Sequence, residues 1–121
     1  MKNEEQVWQL IENKKEDYIK FSDRIFDTPE ILYQEFKSVS EHTSMLKKEG
    51  FKVTENICNM PTAVMGEYGE DGPIIAILGE FDALPGLSQE AGITRHKPKE
   101  NNTNGHGCGH NLLGAASLLA A

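Results

Sequence analysis

Long apolar runs are missing from this sequence. No stretch approaches the roughly twenty consecutive apolar residues that a membrane-spanning helix needs, and the mean hydropathy is -0.49. Cysteine is scarce too: Cys58 and Cys108 are the only two, too few for a disulfide scaffold and enough for one bridge at most. Positive charge is also short, with 12 Lys and Arg against 19 Asp and Glu for a net charge of -7. That balance argues against nucleic acid or an anionic membrane as partner, since either needs a concentrated basic patch to replace phosphate counterions. The opening stretch MKNEEQVWQLIENKKEDY is charged throughout. It lacks the apolar core of a secretory signal, so the expected compartment is the cytoplasm.

What is present reads as one compact unit, by the size of a 121-residue chain and its moderate apolar content. From Glu4 to Phe26 the residues Val7, Trp8, Leu10, Ile11, Tyr18, Ile19, Phe21, Ile25 and Phe26 recur mostly three and four apart with Glu and Lys between them. This spacing predicts an amphipathic helix whose stripe packs against a sheet. Thr28 and Pro29 suit the cap and first position of a second helix. That helix is expected to run to Glu49 and stop at Gly50, with His42 as an ordinary surface histidine.

The second half reads as strands. Phe51, Val53 and Ile57 alternate with polar residues, TAVMGEY (62–68) follows, and a turn at Glu70, Asp71 and Gly72 leads into Pro73–Phe81 with its apolar IIAIL. A strand apolar on both faces is normally central and covered by helices. The expected fold class is therefore α/β, with a mixed sheet covered by helices. At the end of that strand, Glu80 and Asp82 share one face by the two-residue period, at the edge where open α/β sheets place their sites. A solvated turn is the competing reading of the same pair. Leu87–Asn104, with HKPKENNTN inside it, reads as an exposed connection at the rim of a cleft, and His96 between Arg95 and Lys97 as a surface residue.

Chemistry concentrates in NGHGCGHNLLGAASLLAA, Asn104 to Ala121. His106, Cys108 and His110 alternate with glycines, which let a short loop turn several donors toward one point. Zinc suits a Cys and His set, and manganese or cobalt is accepted if carboxylates complete the shell. These donors fall short of a closed four-ligand structural site, so further ligands are expected from elsewhere. The rival reading is an inert cysteine with capping or surface histidines. Asn111 could cap the apolar helix that follows or help seat a water.

The segments PTAVMGEYG, GPIIAILGEFDALPG and NGHGCGHNLLGAA, in this order, resemble the N-terminal part of the metal-dependent aminoacylase and carboxypeptidase superfamily, in its amidohydrolase branch and the aminobenzoyl-glutamate utilisation group. The resemblance runs from the first helix through PEILYQEF to the end of the chain. It implies that residues 1–121 are the N-terminal portion of a catalytic domain, with a small dimerisation domain and the remainder of the catalytic domain absent from this fragment. It also implies one or two divalent ions, zinc or manganese, with Cys108 and His110 as metal ligands and Asp82 as the catalytic aspartate that orients or polarises the centre. His106, Glu80 and Asn111 become site neighbours. Glu80 stands where well-known members have a metal-binding histidine and related amidohydrolases an aspartate, and Asn111 stands where many read aspartate. The family's general base, one of two adjacent glutamates, has no counterpart here.

The implied activity of the complete protein is metal-dependent hydrolysis of an amide bond in an N-acyl or aminoacyl amino acid, an aminobenzoyl-glutamate-like compound or a small dipeptide. The complete protein would be a homodimer acting on small molecules, with no nucleic acid or membrane partner, and the fragment alone would be inactive. The alternative is a noncatalytic metal-binding or structural interaction module.

Overall fold

The computed structural model of the chain describes residues 2–121. Its elements are helices α1 (Lys2–Asp27) and α2 (Phe36–Lys48), strand β1 (Lys52–Glu55), a 3-10 turn (Ile57–Asn59), strand β2 (Val64–Glu67) and helix α3 (His110–Ala120). The protein is a small α/β unit. Its sheet among the described residues is a two-stranded antiparallel ribbon pairing Lys52 with Glu67 and Glu55 with Val64. The parallel component expected of a mixed sheet is reduced to a single isolated bridge between Ile31 and Ala83.

The core gathers Tyr18, Phe21 and Ile25 of α1, Met45 and Leu46 of α2, and Ala115 and Leu118 of α3, with Phe51, Val53, Val64 and Phe81 packed against it. Tyr18, Phe21, Ser22 and Ile25 are the buried stripe of α1, at the three- and four-residue spacing of one helix face. The forward half of the expected stripe stays in solvent: Val7, Trp8 and Leu10 are all more than half exposed. The reason is length. A helix of 26 residues extends about 39 Å, whereas the elements that pack on it are helices α2 and α3 and not, as expected, a sheet; at 13 and 11 residues these span only about 20 and 17 Å, so only the second half of α1 finds apolar cover.

The second helix begins later than the Thr-Pro signal predicts. Thr28 instead closes α1, its hydroxyl donating to the Arg24 carbonyl at 2.8 Å and its N–H to Ile25 at 3.1 Å. Residues 29–31 then run extended, because the Glu30 carbonyl accepts from the N–H of Ala83 at 2.7 Å. The Glu30 side chain turns the other way. Its carboxylate accepts the backbone N–H groups of Lys37 (3.0 Å) and Ser38 (2.8 Å) and the Ser38 hydroxyl (2.9 Å), satisfying free donors at the start of α2 and placing negative charge at the positive end of its dipole. The far end follows the expected pattern. Gly50 adopts a positive φ of 89°, and N–H groups of Gly50 and Phe51 return to the carbonyls of Lys47 and Leu46, the paired bonds of a Schellman stop. Ion pairs from Lys14 to Glu49, Lys48 to Asp17 and Arg24 to Glu41 join α1 to α2; as surface pairs they contribute little.

Two further expectations are corrected. Pro73–Phe81 forms no strand ladder, and Ile74 is 98% exposed. A central strand needs hydrogen-bonded neighbours on both edges, and among the described residues this run pairs with no strand; it is held instead by the Ser117 hydroxyl of α3, bonded to the Leu78 carbonyl at 2.8 Å, and by Phe81, which packs against the core. His42 is no surface residue. It is 5% exposed, with its ring centroid 4.7 Å from Phe21 and 4.4 Å from Phe81, and its Nδ1–H donates to the Ser38 carbonyl at 2.9 Å. Polar neighbours in sequence concealed an apolar site in space. The first strand stops at Glu55, with Ile57 in the 3-10 turn that follows, while His96 is exposed and 87–104 has no regular structure, as expected.

Burial pushes the His42 imidazole down from 6.5 to about 4. The unfolded chain therefore takes up a proton near pH 6.5, while the folded chain resists until about pH 4. The neutral ring's contribution is complete above pH 6.5 and is lost as the pH falls between those two values. Urea unfolding of the 121-residue chain across that range should show His42→Leu removing about 3 kcal/mol of the wild type's acid-side stability loss. Parallel profiles for the two proteins would contradict this.

Candidate functional site

The site is assembled where three chain segments meet. Ala83, 1% exposed, bridges Ile31 on one side, while Leu84 exchanges two 3.0 Å backbone hydrogen bonds with Gly105 on the other. This small patch anchors the end of the 73–81 run against both the α1–α2 connection and the glycine-rich loop. Asp82 thereby reaches the first turn of α3. Gly109, at φ 76°, forms the N-cap, and the helix opens directly on His110.

His110 stands between two carboxylates. Its Nδ1 lies 2.7 Å from Oδ1 of Asp82 and its Nε2 lies 3.0 Å from Oε2 of Glu80. The three side chains are 16%, 27% and 64% exposed in the order His110, Asp82, Glu80, so the imidazole is sheltered and Glu80 faces solvent. They form a group of metal-ligand types whose donor atoms all lie within 4.8 Å of one another. Two ligands of a tetrahedral ion, each bonded at about 2.0–2.1 Å, sit about 3.3 Å apart, close to the separation of Glu80 Oε2 from His110 Nε2. An imidazole nitrogen with two hard carboxylates is also a donor set that suits zinc or manganese. The residues therefore fit a divalent cation.

The remaining sequence candidates fall around this group. Asn111 is buried and donates from Nδ2 to the Ser22 hydroxyl at 3.0 Å, tying the start of α3 to α1 instead of capping the helix with its side chain. His106 donates from Nε2 to the Ile25 carbonyl at 3.1 Å and stacks on Phe26. Burial, together with the nearby His110, holds its imidazole below the ordinary range against the opposing pull of the Ile25 hydrogen bond and Asp82. Cys108 is an exposed free thiol on the turn between them and is not one of the three clustered donors. The structure thus brings Glu80 and Asp82 to His110, and leaves Cys108 and His106 beside them.

Three contributors escaped the sequence reading. Ser22 interrupts the apolar stripe between Phe21 and Ile25, and a small polar residue on a buried face was the available signal. Glu30 showed none, because its role depends on a turn between it and α2. Gly114 reads as one more small residue in an alanine-rich helix, yet a Cβ there would lie 2.8 Å from the Glu80 carbonyl oxygen and 2.6 Å from Nε2 of His42. It sits one turn after His110, on the helix face that approaches the carboxylates.

The chain is similar to curated hydrolases whose names are consistent with an amidohydrolase and peptidase superfamily. It is 46% identical over 111 residues to a p-aminobenzoyl-glutamate hydrolase subunit of Escherichia coli (strain K12), covering 92% of this chain and 23% of that protein. It is 32% identical over 124 residues to thermostable carboxypeptidase 2 of Saccharolobus solfataricus, covering 91% of this chain and 30% of that one. N-acetylcysteine deacetylase of Bacillus subtilis (strain 168) matches at 29% over 104 residues, or 78% and 26% of the two chains. The chain thus spans less than a third of the length of these curated relatives. No family model matches it. None of its described helices is long and apolar enough to cross a membrane.

Helix propensity alone favours alanine over glycine in α3 by about 1 kcal/mol. The close approach reverses that sign. Gly114→Ala should destabilise the chain by about 1–3 kcal/mol through overpacking, measured by urea unfolding, and a stabilised variant would show that α3 does not rest against Glu80 and His42 as described.

Proposed function

We propose that this chain contributes the N-terminal portion of a catalytic domain that hydrolyses amide bonds with the help of a divalent ion. The reading assigns the complete protein an N-acyl or aminoacyl amino acid, an aminobenzoyl-glutamate-like compound or a small dipeptide as substrate. One observation carries it: Asp82 and His110, drawn from the two motifs separated by the long irregular connection, are in direct contact at 2.7 Å. The names of the relatives, a p-aminobenzoyl-glutamate hydrolase, a carboxypeptidase and a deacetylase, support the same chemistry.

In this reading Cys108 and His110 hold the ion, zinc or manganese, in a centre of one or two ions. Asp82 is the catalytic aspartate; by accepting Nδ1–H of His110 it fixes the tautomer and the ring plane, the role carboxylates commonly play behind a metal-binding histidine. A bound divalent ion supplies Lewis acidity toward the amide carbonyl and makes water more acidic. His106, neutral and bonded to the α1 backbone, holds the loop that carries Cys108. The general base, which must take the proton of the attacking water and deliver it to the departing amine, is assigned outside these 121 residues, as are the small dimerisation domain and the rest of the catalytic domain. A homodimer in the cytoplasm completes the proposal. The exposure of Glu80 at 64% favours this over a structural module, since a structural ion is normally closed off by four protein ligands.

The test is hydrolysis of p-aminobenzoyl-glutamate, N-acyl amino acids and dipeptides by the full-length protein loaded with zinc or manganese. At least one class should turn over, and Cys108→Ala in that protein should lower kcat/KM by about a hundredfold, roughly 2.7 kcal/mol of transition-state stabilisation. The 121-residue chain alone should show no turnover. Full activity in the Cys108 variant would remove the thiol from the mechanism, and absence of any amide hydrolysis by the metal-loaded protein would end the hydrolase reading.

A further inference from the structure

We propose that His42 is a positioning residue: acting through Phe81, it fixes the direction in which Glu80 and Asp82 face His110. The inference rests on the proposed function for the chemistry that these carboxylates serve, and it gives a role to a residue outside both motifs and outside the three clustered donors.

The segment 80–83 is gripped at two points from the side of α2. At Ala83, which is 1% exposed, the backbone N–H donates to the Glu30 carbonyl at 2.7 Å. The carboxylate of the same Glu30 accepts the N–H and hydroxyl of Ser38 at 2.8 and 2.9 Å, and the Ser38 carbonyl accepts Nδ1–H of His42 at 2.9 Å. The His42 ring then meets the ring of Phe81, with centroids 4.4 Å apart and planes 32° from parallel. Phe81 and Ala83 stand on either side of Asp82, so these contacts close into a loop around the residue that reaches Nδ1 of His110 at 2.7 Å.

Each grip controls a different motion. The Ala83 hydrogen bond sets where the segment lies, but a chain held by one backbone bond can still roll about its own axis. Successive side chains of an extended backbone leave on opposite faces, and here Phe81 packs against the core while Glu80 and Asp82 meet His110. Holding the Phe81 ring therefore stops the roll and aims both carboxylates. Histidine does this at a cost. Its Nε2 is buried with no hydrogen-bond partner among the described residues, a penalty that an apolar side chain would avoid. What the imidazole adds is direction, because the bond to Ser38 locks the plane of the ring, on which Phe21 also packs at 4.7 Å. Gly114 makes room for the arrangement: His42 Nε2 and the Glu80 carbonyl oxygen lie 2.6 and 2.8 Å from where a Cβ would stand, so the grip fits directly against the helix that carries His110.

The test is amide hydrogen exchange of the 121-residue chain followed by NMR, with circular dichroism confirming that each variant folds. His42→Leu keeps the place apolar and filled. It should speed exchange at Ala83 by at least about tenfold relative to Tyr18 and Ile25 inside α1, since a local opening exposes only the residues it frees. A role limited to stability would accelerate all of these alike. Phe81→Leu should give the same selective increase, and adding His42→Leu to it should change the Ala83 rate by less than about twofold more, the non-additivity expected of residues that act in series. Uniform acceleration, or effects of the two substitutions that multiply independently, would overturn the proposal.

In the full-length protein loaded with zinc or manganese, His42→Leu should lower kcat for amide hydrolysis by about tenfold and leave KM within about twofold, because the change acts on the aim of the carboxylates. An unchanged kcat beside selective Ala83 exchange would also remove the positioning role. The two readings fail separately. Absence of hydrolysis by the full-length wild type would dismiss the reaction, while the exchange pattern would still decide whether His42 aims the carboxylates.

Discussion

The buried hydrogen bond from Asn111 to Ser22 decides where α3 begins, and the site depends on that decision. Both residues are nearly inaccessible, at 6% and 3% exposure, in an interface otherwise built from Phe21, Ile25, Ala115 and Leu118. Sliding α3 along α1 would leave two polar side chains buried without partners, at about 1–3 kcal/mol each. Apolar contacts alone tolerate such sliding far better, because their energy follows area and not direction. The polar pair therefore sets the register, and His110, the residue before Asn111, is delivered to Asp82.

A second set of contacts fixes the other side of the site. The Ile25 carbonyl, near the end of α1, accepts the hydrogen bond of His106, and the Pro29 carbonyl is approached by Asn104 at 3.4 Å. Ala83 and Leu84 are held between Glu30 and Gly105. Carbonyls and amides left over where helices end are thus used to secure the loops that carry chemistry, which is how buried backbone groups become satisfied outside regular structure. The resulting group is graded in exposure from His110 through Asp82 to Glu80. Its inner nitrogen is committed to the protein and its outer nitrogen can meet a ligand.

The apolar run at 73–81 shows the limit of pattern. Its composition is that of a buried strand, yet Ile74, Ile75 and Leu78 are largely exposed, because hydrophobicity announces a demand for cover and cannot supply it. The same limit explains His42. Charged and hydroxyl neighbours along the chain described its helix turn, whereas its ring lies between Phe21 and Phe81, residues far from it in sequence. The late start of α2 has a related origin, since Thr28 and Pro29 form a sound local signal that the hydrogen bond between Glu30 and Ala83 overrides.

Local rules were enough for much of the rest. Periodicity located α1, the glycine stop located the end of α2, alternation located the ribbon strands, and the two motifs marked Glu80, Asp82 and His110 as residues with chemistry, because each of these depends on neighbours a few positions away. The partnership among those three residues belongs to tertiary structure. His110 meets Asp82 across a long irregular connection only because α3 is seated on α1 by Asn111 and admitted against Glu80 by Gly114, and contacts between distant segments are specified by packing, which no window of sequence contains. The same packing left Cys108 on an exposed turn and put Glu80 and Asp82 on the two nitrogens of the His110 ring.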